Sequence, residues 1–385
     1  MLKRYLLAPG PTPVPAEALL AMAEPIIHHR TPQFSRIFAS AVAGSKKLFG
    51  TDGPVMMLAA TGTGAMEAAV TNTMSAGDRV LVVNGGKFGE RWAEISQAYG
   101  LEVSTIDVEW GTAVDPAAVA AALEEHPDTR AVLVQASETS TTVLHPVAEL
   151  AALTRDRECL LIVDGITSVG VADMPMDATG IDVLVTGSQK AMMLPPGLSL
   201  VSLSEKAWRF SEQAKLPRYY FDLAKERKSV EKDTSAYTPA VSLVVGLNAV
   251  YQVIENSGGF PELYARHARL AEATRAGVVA MGLKLLAPDS PSPATTGVWL
   301  PESIDGGKFT KHMRDVMGVT VAGGQGQLKG KIIRLAHIGY ADTFDVIIGL
   351  SAVEMALAEF GHDVEFGKGP AAAQKILAAQ YSRDL

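Results

Sequence analysis

A single cysteine, Cys159, stands in 385 residues, so no disulfide can close within the chain. The expected compartment is a reducing one, the cytoplasm by default. Cys159 opens an apolar run, where a thiol is a core residue first and a reagent second. Long apolar runs are also missing: none approaches the roughly 18 uninterrupted residues that a spanning helix requires, so no membrane segment is expected. The opening Met1-Leu-Lys-Arg-Tyr-Leu-Leu-Ala-Pro9 carries two positive charges but is halted by prolines after a few apolar residues, and reads as no signal peptide. Ser382-Arg-Asp-Leu385 matches no retention or peroxisomal tail. Basic runs are absent as well. With 34 basic residues against 42 acidic, the net charge of −8 argues against nucleic acid or an anionic membrane as partner. A small-molecule enzyme fits better.

What is present is core and alternation. Hydrophobic residues make up 48% of the chain, and the length calls for two or three units rather than one small core. Pro9-Gly-Pro-Thr-Pro-Val-Pro15 can be neither helix nor central strand, because its prolines fix φ and remove donors; residues 1–15 read as an extended arm. From Val55 onward apolar strand patterns at Val55 to Ala59, Arg79 to Val83, Val103 to Asp107, Ala131 to Gln135 and Leu160 to Val163 alternate with helical ones. Ile181 to Val185 and Leu198 to Leu203 complete an α/β fold with a mostly parallel sheet of about seven strands, covered on both faces. Two long helical patterns, Val241 to Asn256 and Pro261 to Met281, close a large domain spanning 16–281. Strands at Val298 to Leu300 and Lys331 to Leu335, with helices at Gly307 to Met317 and Asp342 to Phe360, predict a smaller α+β domain over 282–385.

The chemistry gathers where strands end. Val183-Leu-Val-Thr-Gly-Ser-Gln-Lys190 delivers a lysine just past an apolar strand, and Cys159-Leu-Leu-Ile-Val-Asp164 ends in a lone carboxylate at the same kind of position. Open α/β sheets bind ligands at that edge. Alone, each residue would be a solvated cap. Together they suit pyridoxal phosphate, with Lys190 holding the aldehyde as a Schiff base and Asp164 pairing with the pyridinium nitrogen. Ala60-Thr61-Gly62-Thr63-Gly64-Ala65-Met66-Glu67 joins the first strand to a helix, and its glycines, hydroxyls and N–H groups form a phosphate cradle. A dinucleotide fingerprint would need a glycine or alanine where Glu67 stands and an acid about 20 residues on, and the next strand ends in Asn84 instead. Phe88 follows the second strand and could stack on a flat ring. Glu138-Thr-Ser-Thr-Thr142 offers hydroxyls at the same edge. His28-His29 lacks further ligands at metal spacing and reads as hydrogen bonding at a turn or pocket rim, so no metal is expected.

The segments APGPTPVP, HHRTPQF, TGTGAMEAA, VDGITS and GSQKAMMLPPG resemble the class V aminotransferases of fold type I, in the alanine/serine–glyoxylate group, and the resemblance runs through nearly the whole chain. It implies that Lys190 is the Schiff-base lysine and Asp164 the partner of the pyridine nitrogen. Thr61, Gly62, Thr63 and Gln189 would hold the phosphate, Phe88 and Ile166 would lie on the two faces of the ring, and Thr139 would bond its hydroxyl. The resemblance also implies a homodimer in which Tyr237 and Thr238 reach the partner's phosphate. Relatives often have glycine where Thr142 stands and a larger aromatic where Phe88 stands. The expected reaction moves an amino group from a small amino acid, alanine or serine type, to a small 2-oxo acid, glyoxylate or pyruvate. Arg334, in the apolar run Lys331-Ile-Ile-Arg-Leu335, is expected to clamp the substrate carboxylate, since its planar fork matches a carboxylate with two parallel hydrogen bonds. The alternatives are another fold type I enzyme such as a lyase or phosphonate aminotransferase, a nicotinamide oxidoreductase, or a non-catalytic subunit on the same scaffold. Glu67 argues against the oxidoreductase, and the intact Lys190 and Asp164 against the subunit.

Overall fold

The computed structural model describes residues 2–381. Met1, read with the arm, and Ser382–Leu385, read with the small domain and as a tail, lie outside the described residues. Seven strands form the central sheet: β1 (Val55–Leu58), β2 (Arg79–Asn84), β3 (Glu102–Asp107), β4 (Ala131–Gln135), β5 (Leu160–Asp164), β6 (Val183–Gly187) and β7 (Ser199–Leu203). They run in the order β1-β7-β6-β5-β4-β2-β3. Every residue of β4, β5, β6 and β7 is buried, as expected of strands covered on both faces. β7 is antiparallel to both its neighbours and the remaining pairs are parallel. An apolar run does not encode direction; the connection does. Residues 188–198 contain no crossover helix, so the chain returns beside β6 the opposite way.

A second sheet of four antiparallel strands, β8 (Lys284–Leu285), β9 (Thr295–Trp299), β10 (Ala322–Gly323) and β11 (Ile332–Ala336), follows in the order β8-β9-β11-β10. β9 begins before the expected Val298, and β8 and β10 were not expected, because two residues carry no readable alternation. The charged stretch from Lys225 lies on a helix, Leu223–Val230, started by Asp222, whose carboxylate accepts from Ala224 N and Lys225 N at 3.1 and 3.2 Å.

Two cores result. One surrounds the large sheet, with Phe34, Phe38, Phe49 and Trp92 fully buried in it. The other joins the small sheet to its helices through Phe309, Met313, Val353 and Leu357. The helix Gly259–Ala280 serves both, giving Phe260 and Leu263 to the first and Leu270, Ala273 and Val278 to the second. The N-terminal arm is stitched in rather than merely laid over the body. Tyr5–Leu6 pairs in parallel with Val319–Thr320, Leu7 sits in the second core, and Ala336 N donates to Leu7 O at 2.9 Å.

Candidate active site

Five of the strands deliver their carboxyl ends to one edge of the large sheet, and a cavity of about 310 Å³ opens there. After β1 come Thr61, Gly62 and Thr63; after β2, Phe88; after β4, Ser137 and Thr139; at the end of β5, Asp164 with Ile166 and Thr167; after β6, Gln189 and Lys190. The structure therefore brings Thr61, Gly62, Thr63, Phe88, Thr139, Asp164, Ile166, Gln189 and Lys190 to one wall-to-wall site. Arg91, Ser137 and Thr167 line it too and were not foreseen. Arg91 lies inside the helix Lys87–Ala98, one turn beyond Phe88, where helical spacing was the available signal. Thr167 is tied to Thr139, hydroxyl to hydroxyl at 2.7 Å.

The local sequence explains the geometry. The helix Gly62–Thr73 starts at Thr61 without a side-chain cap, so its first N–H groups border the cavity unclaimed. Gly62 packs closely on Ile166: a Cβ there would lie 2.3 Å from Ile166 Cδ1 and push that side chain aside. Asp164 is buried at the strand end and accepts from Ile166 N at 2.8 Å. Burial pushes its carboxyl up to about 7, against the Ile166 N–H, which favours the anion. Lys190 is brought down to about 8, chiefly by desolvation, while the attraction of Asp164 pulls the other way. Its amine donates to Pro9 O, and Thr12 Oγ1 donates to Lys190 O at 2.9 Å, so the arm forms part of the lysine's surroundings.

Glu138 organises the opposite wall. Fully buried, it accepts from Phe88 N and Gly89 N at the start of a helix, both at 3.1 Å, and from Ser140 N at 3.1 Å and Ser140 Oγ at 2.5 Å. One carboxylate thus locks the Phe88 helix to the Thr139 loop, although burial raises its proton affinity. Arg334, on β11 of the second sheet, reaches across to donate to Thr139 O at 2.8 Å and to Gly323 O at 3.0 Å. No carboxylate among the described residues lies within ion-pair distance of it. Burial lowers its guanidinium to about 10, with Glu138 opposing the shift. Tyr237 and Thr238 are not at this cavity; they border a separate small pocket with Tyr220, Glu226 and Ser235.

Lys190 with its lowered proton affinity, the buried Asp164 carboxyl and the open helix N-terminus meet in this cavity, whose lining does not include Arg334, and together they suit covalent amine chemistry on an anionic group. The comparisons agree with that class. The family model of the class-V aminotransferases matches residues 4–326. The soluble hydrogenase 42 kDa subunit of Anabaena cylindrica is 41% identical over 381 residues, covering 98% of this chain and 99% of that one. The L-aspartate–glyoxylate aminotransferase of Paracoccus denitrificans is 37% identical, covering 95% and 94%. The crystal structure of ureidoglycine–glyoxylate aminotransferase from Bacillus subtilis superposes with a TM-score of 0.92 at 28% identity, covering 98% of each chain. The chain belongs to the class-V aminotransferases and has their fold type I architecture.

Proposed function

We propose that this aminotransferase uses pyridoxal phosphate to move an amino group from a small amino acid of the alanine or serine type to glyoxylate or pyruvate. The single observation that carries the reading is the pairing, in one cavity, of Lys190 after β6 with buried Asp164 on the neighbouring β5. The residues fit the cofactor. The uncapped helix at Thr61, Gly62 and Thr63 offers N–H groups to a phosphate, and Gln189 in the same wall would meet it through its NH2 group, since an amide oxygen only accepts. Phe88 and Ile166 flank the space between, and the Thr139 hydroxyl is placed to meet a ring hydroxyl. When bound, the cofactor supplies an aldehyde that condenses with amines and a ring that accepts electrons from Cα.

The chain's own residues do the rest. Lys190 would hold the cofactor's aldehyde at rest and, as a free amine, would take up the proton released from the substrate's Cα; an amine brought down to about 8 is in part unprotonated at neutral pH. Asp164, as an anion, would keep a proton on the ring nitrogen of the bound cofactor. Arg334 docks the substrate carboxylate, its backbone bonds to Gly323 and Thr139 fixing the fork across the two sheets. In this reading the chain divides into an arm over 1–15, a large domain over 16–281 and a small one over 282–385, which sets Arg334 on one domain and Lys190 on the other. Tyr237 and Thr238 belong in this reading to a partner's phosphate site, in a cytoplasmic homodimer.

The test is a donor panel with glyoxylate as acceptor, following glycine formation. Alanine or serine should give the highest kcat/KM, and Arg334→Lys should raise KM for donor and acceptor together. Aspartate or glutamate as the best donor would displace the small-substrate reading, and unchanged KM values in the lysine variant would remove Arg334 from the clamp.

A further inference from the structure

Arg91 is a cation in the cavity wall to which the roles above give no work. Its Nη1 donates to Thr63 Oγ1 at 3.2 Å, and its guanidinium carbon lies 4.9 Å from the centroid of the Phe88 ring, which holds the planar group in place. No carboxylate among the described residues is within ion-pair distance of it. A guanidinium that borders a cavity and has no protein counter-ion can meet an anion that enters beside it. Its bond to Thr63 also has a direction. A hydroxyl has one proton and two lone pairs, so a Thr63 oxygen that accepts from Arg91 keeps its own proton free to donate. That hydroxyl sits on the second residue of the Gly62–Thr73 helix, beside the unclaimed N–H groups of the helix start.

We propose that Arg91 is a positioning residue for an oxyanion on this helix N-terminus: it orients the Thr63 hydroxyl as a donor and supplies the positive charge that selects a dianionic phosphate. That the phosphate is the cofactor's rests on the proposed function. The same chemistry could serve the distal carboxylate of a dicarboxylic donor, and the experiment separates the two. Cofactor-stripped wild type, Arg91→Gln, Arg91→Lys and Thr63→Val are titrated with pyridoxal phosphate, pyridoxal and inorganic phosphate, and the phosphorus resonance of the bound phosphate is followed against pH. Arg91→Gln should weaken pyridoxal phosphate and inorganic phosphate by roughly tenfold to a hundredfold and leave pyridoxal unchanged. The bound phosphate should then take up its proton at higher pH than in wild type. Arg91→Lys should recover part of the affinity, and the losses from Arg91→Gln and Thr63→Val should combine to less than their sum. Equal phosphate affinity in wild type and Arg91→Gln would overturn the proposal, as would a variant whose only defect is a raised KM for aspartate relative to alanine. Phosphate binding that depends on Arg91 in a protein that does not take up pyridoxal phosphate would uphold Arg91 and overturn the cofactor reading instead.

Discussion

Asp164 is a carboxyl placed where its charge is expensive, and the expense can be measured. Its folded-state value near 7 stands above the ordinary 3.8. The folded chain therefore binds this proton more tightly than the unfolded chain, and stability must fall as pH rises from about 4 to about 7, then stay level with respect to this group. Cofactor-stripped Asp164→Asn should match wild type near pH 4 and exceed it by on the order of a few kcal/mol at pH 8, in denaturant melts at a series of pH values. A constant difference across that range would show that the carboxyl is not strained by burial. Lys190 acts in a separate window with the opposite sign. Its amine, lowered to about 8 from 10.5, binds its proton less tightly folded than unfolded, so its contribution rises with pH between those values. In the loaded enzyme Asp164→Asn should slow the donor half-reaction by roughly a hundredfold to a thousandfold. Lys190→Ala should lower turnover by about 10⁴-fold or more while still retaining cofactor through its phosphate, as single-turnover kinetics and dialysis would show.

Among the elements, the loop after β4 shows how far sequence reaches. The cradle, the aromatic and the strand-end lysine and acid were readable because each follows a run of buried apolar residues and so shares an edge. The loop was not, because its shape depends on Thr142, which takes the left-handed region at φ 59°. A β-branched residue is strained there, and a glycine would not be. What offsets the strain is a contact remote in sequence: Gly297 N donates to Thr142 Oγ1 at 3.2 Å, from β9 of the second sheet. Thr142→Val keeps the strain and loses the bond, and should destabilise by about 1–3 kcal/mol. Thr142→Gly loses the bond but relieves the strain, and should cost clearly less. Thermal melts that rank glycine below valine would contradict this account. Arg91 and Glu138 were missed for related reasons. A helical arginine carries no strand-end signal, and a glutamate in a polar loop gives no hint that four hydrogen bonds will bury it whole.

For the molecule as a whole, the arm ties the sheet that carries Arg334 to the segment that carries Lys190: Leu7 O accepts from Ala336 N of β11, and Thr12 N donates to Gln189 O. The surface adds an argument for a second copy. Tyr219 is 74% exposed, and Tyr220 stacks on Tyr237 with centroids 5.4 Å apart, beside Thr238. Exposed aromatic rings of this kind suit contact with a second copy. Sedimentation of the loaded protein should show a homodimer; an active monomer would take Tyr237 and Thr238 out of the phosphate site. The central claim, amino transfer through a lysine-bound cofactor at Lys190, is tested most directly by a spectrum. Protein loaded with pyridoxal phosphate should show the visible band of a lysine-bound aldehyde, alanine alone should bleach it with one equivalent of pyruvate released per site, and glyoxylate should restore it with one equivalent of glycine. A protein that shows no such band, or bleaches without releasing the 2-oxo acid, would contradict the account.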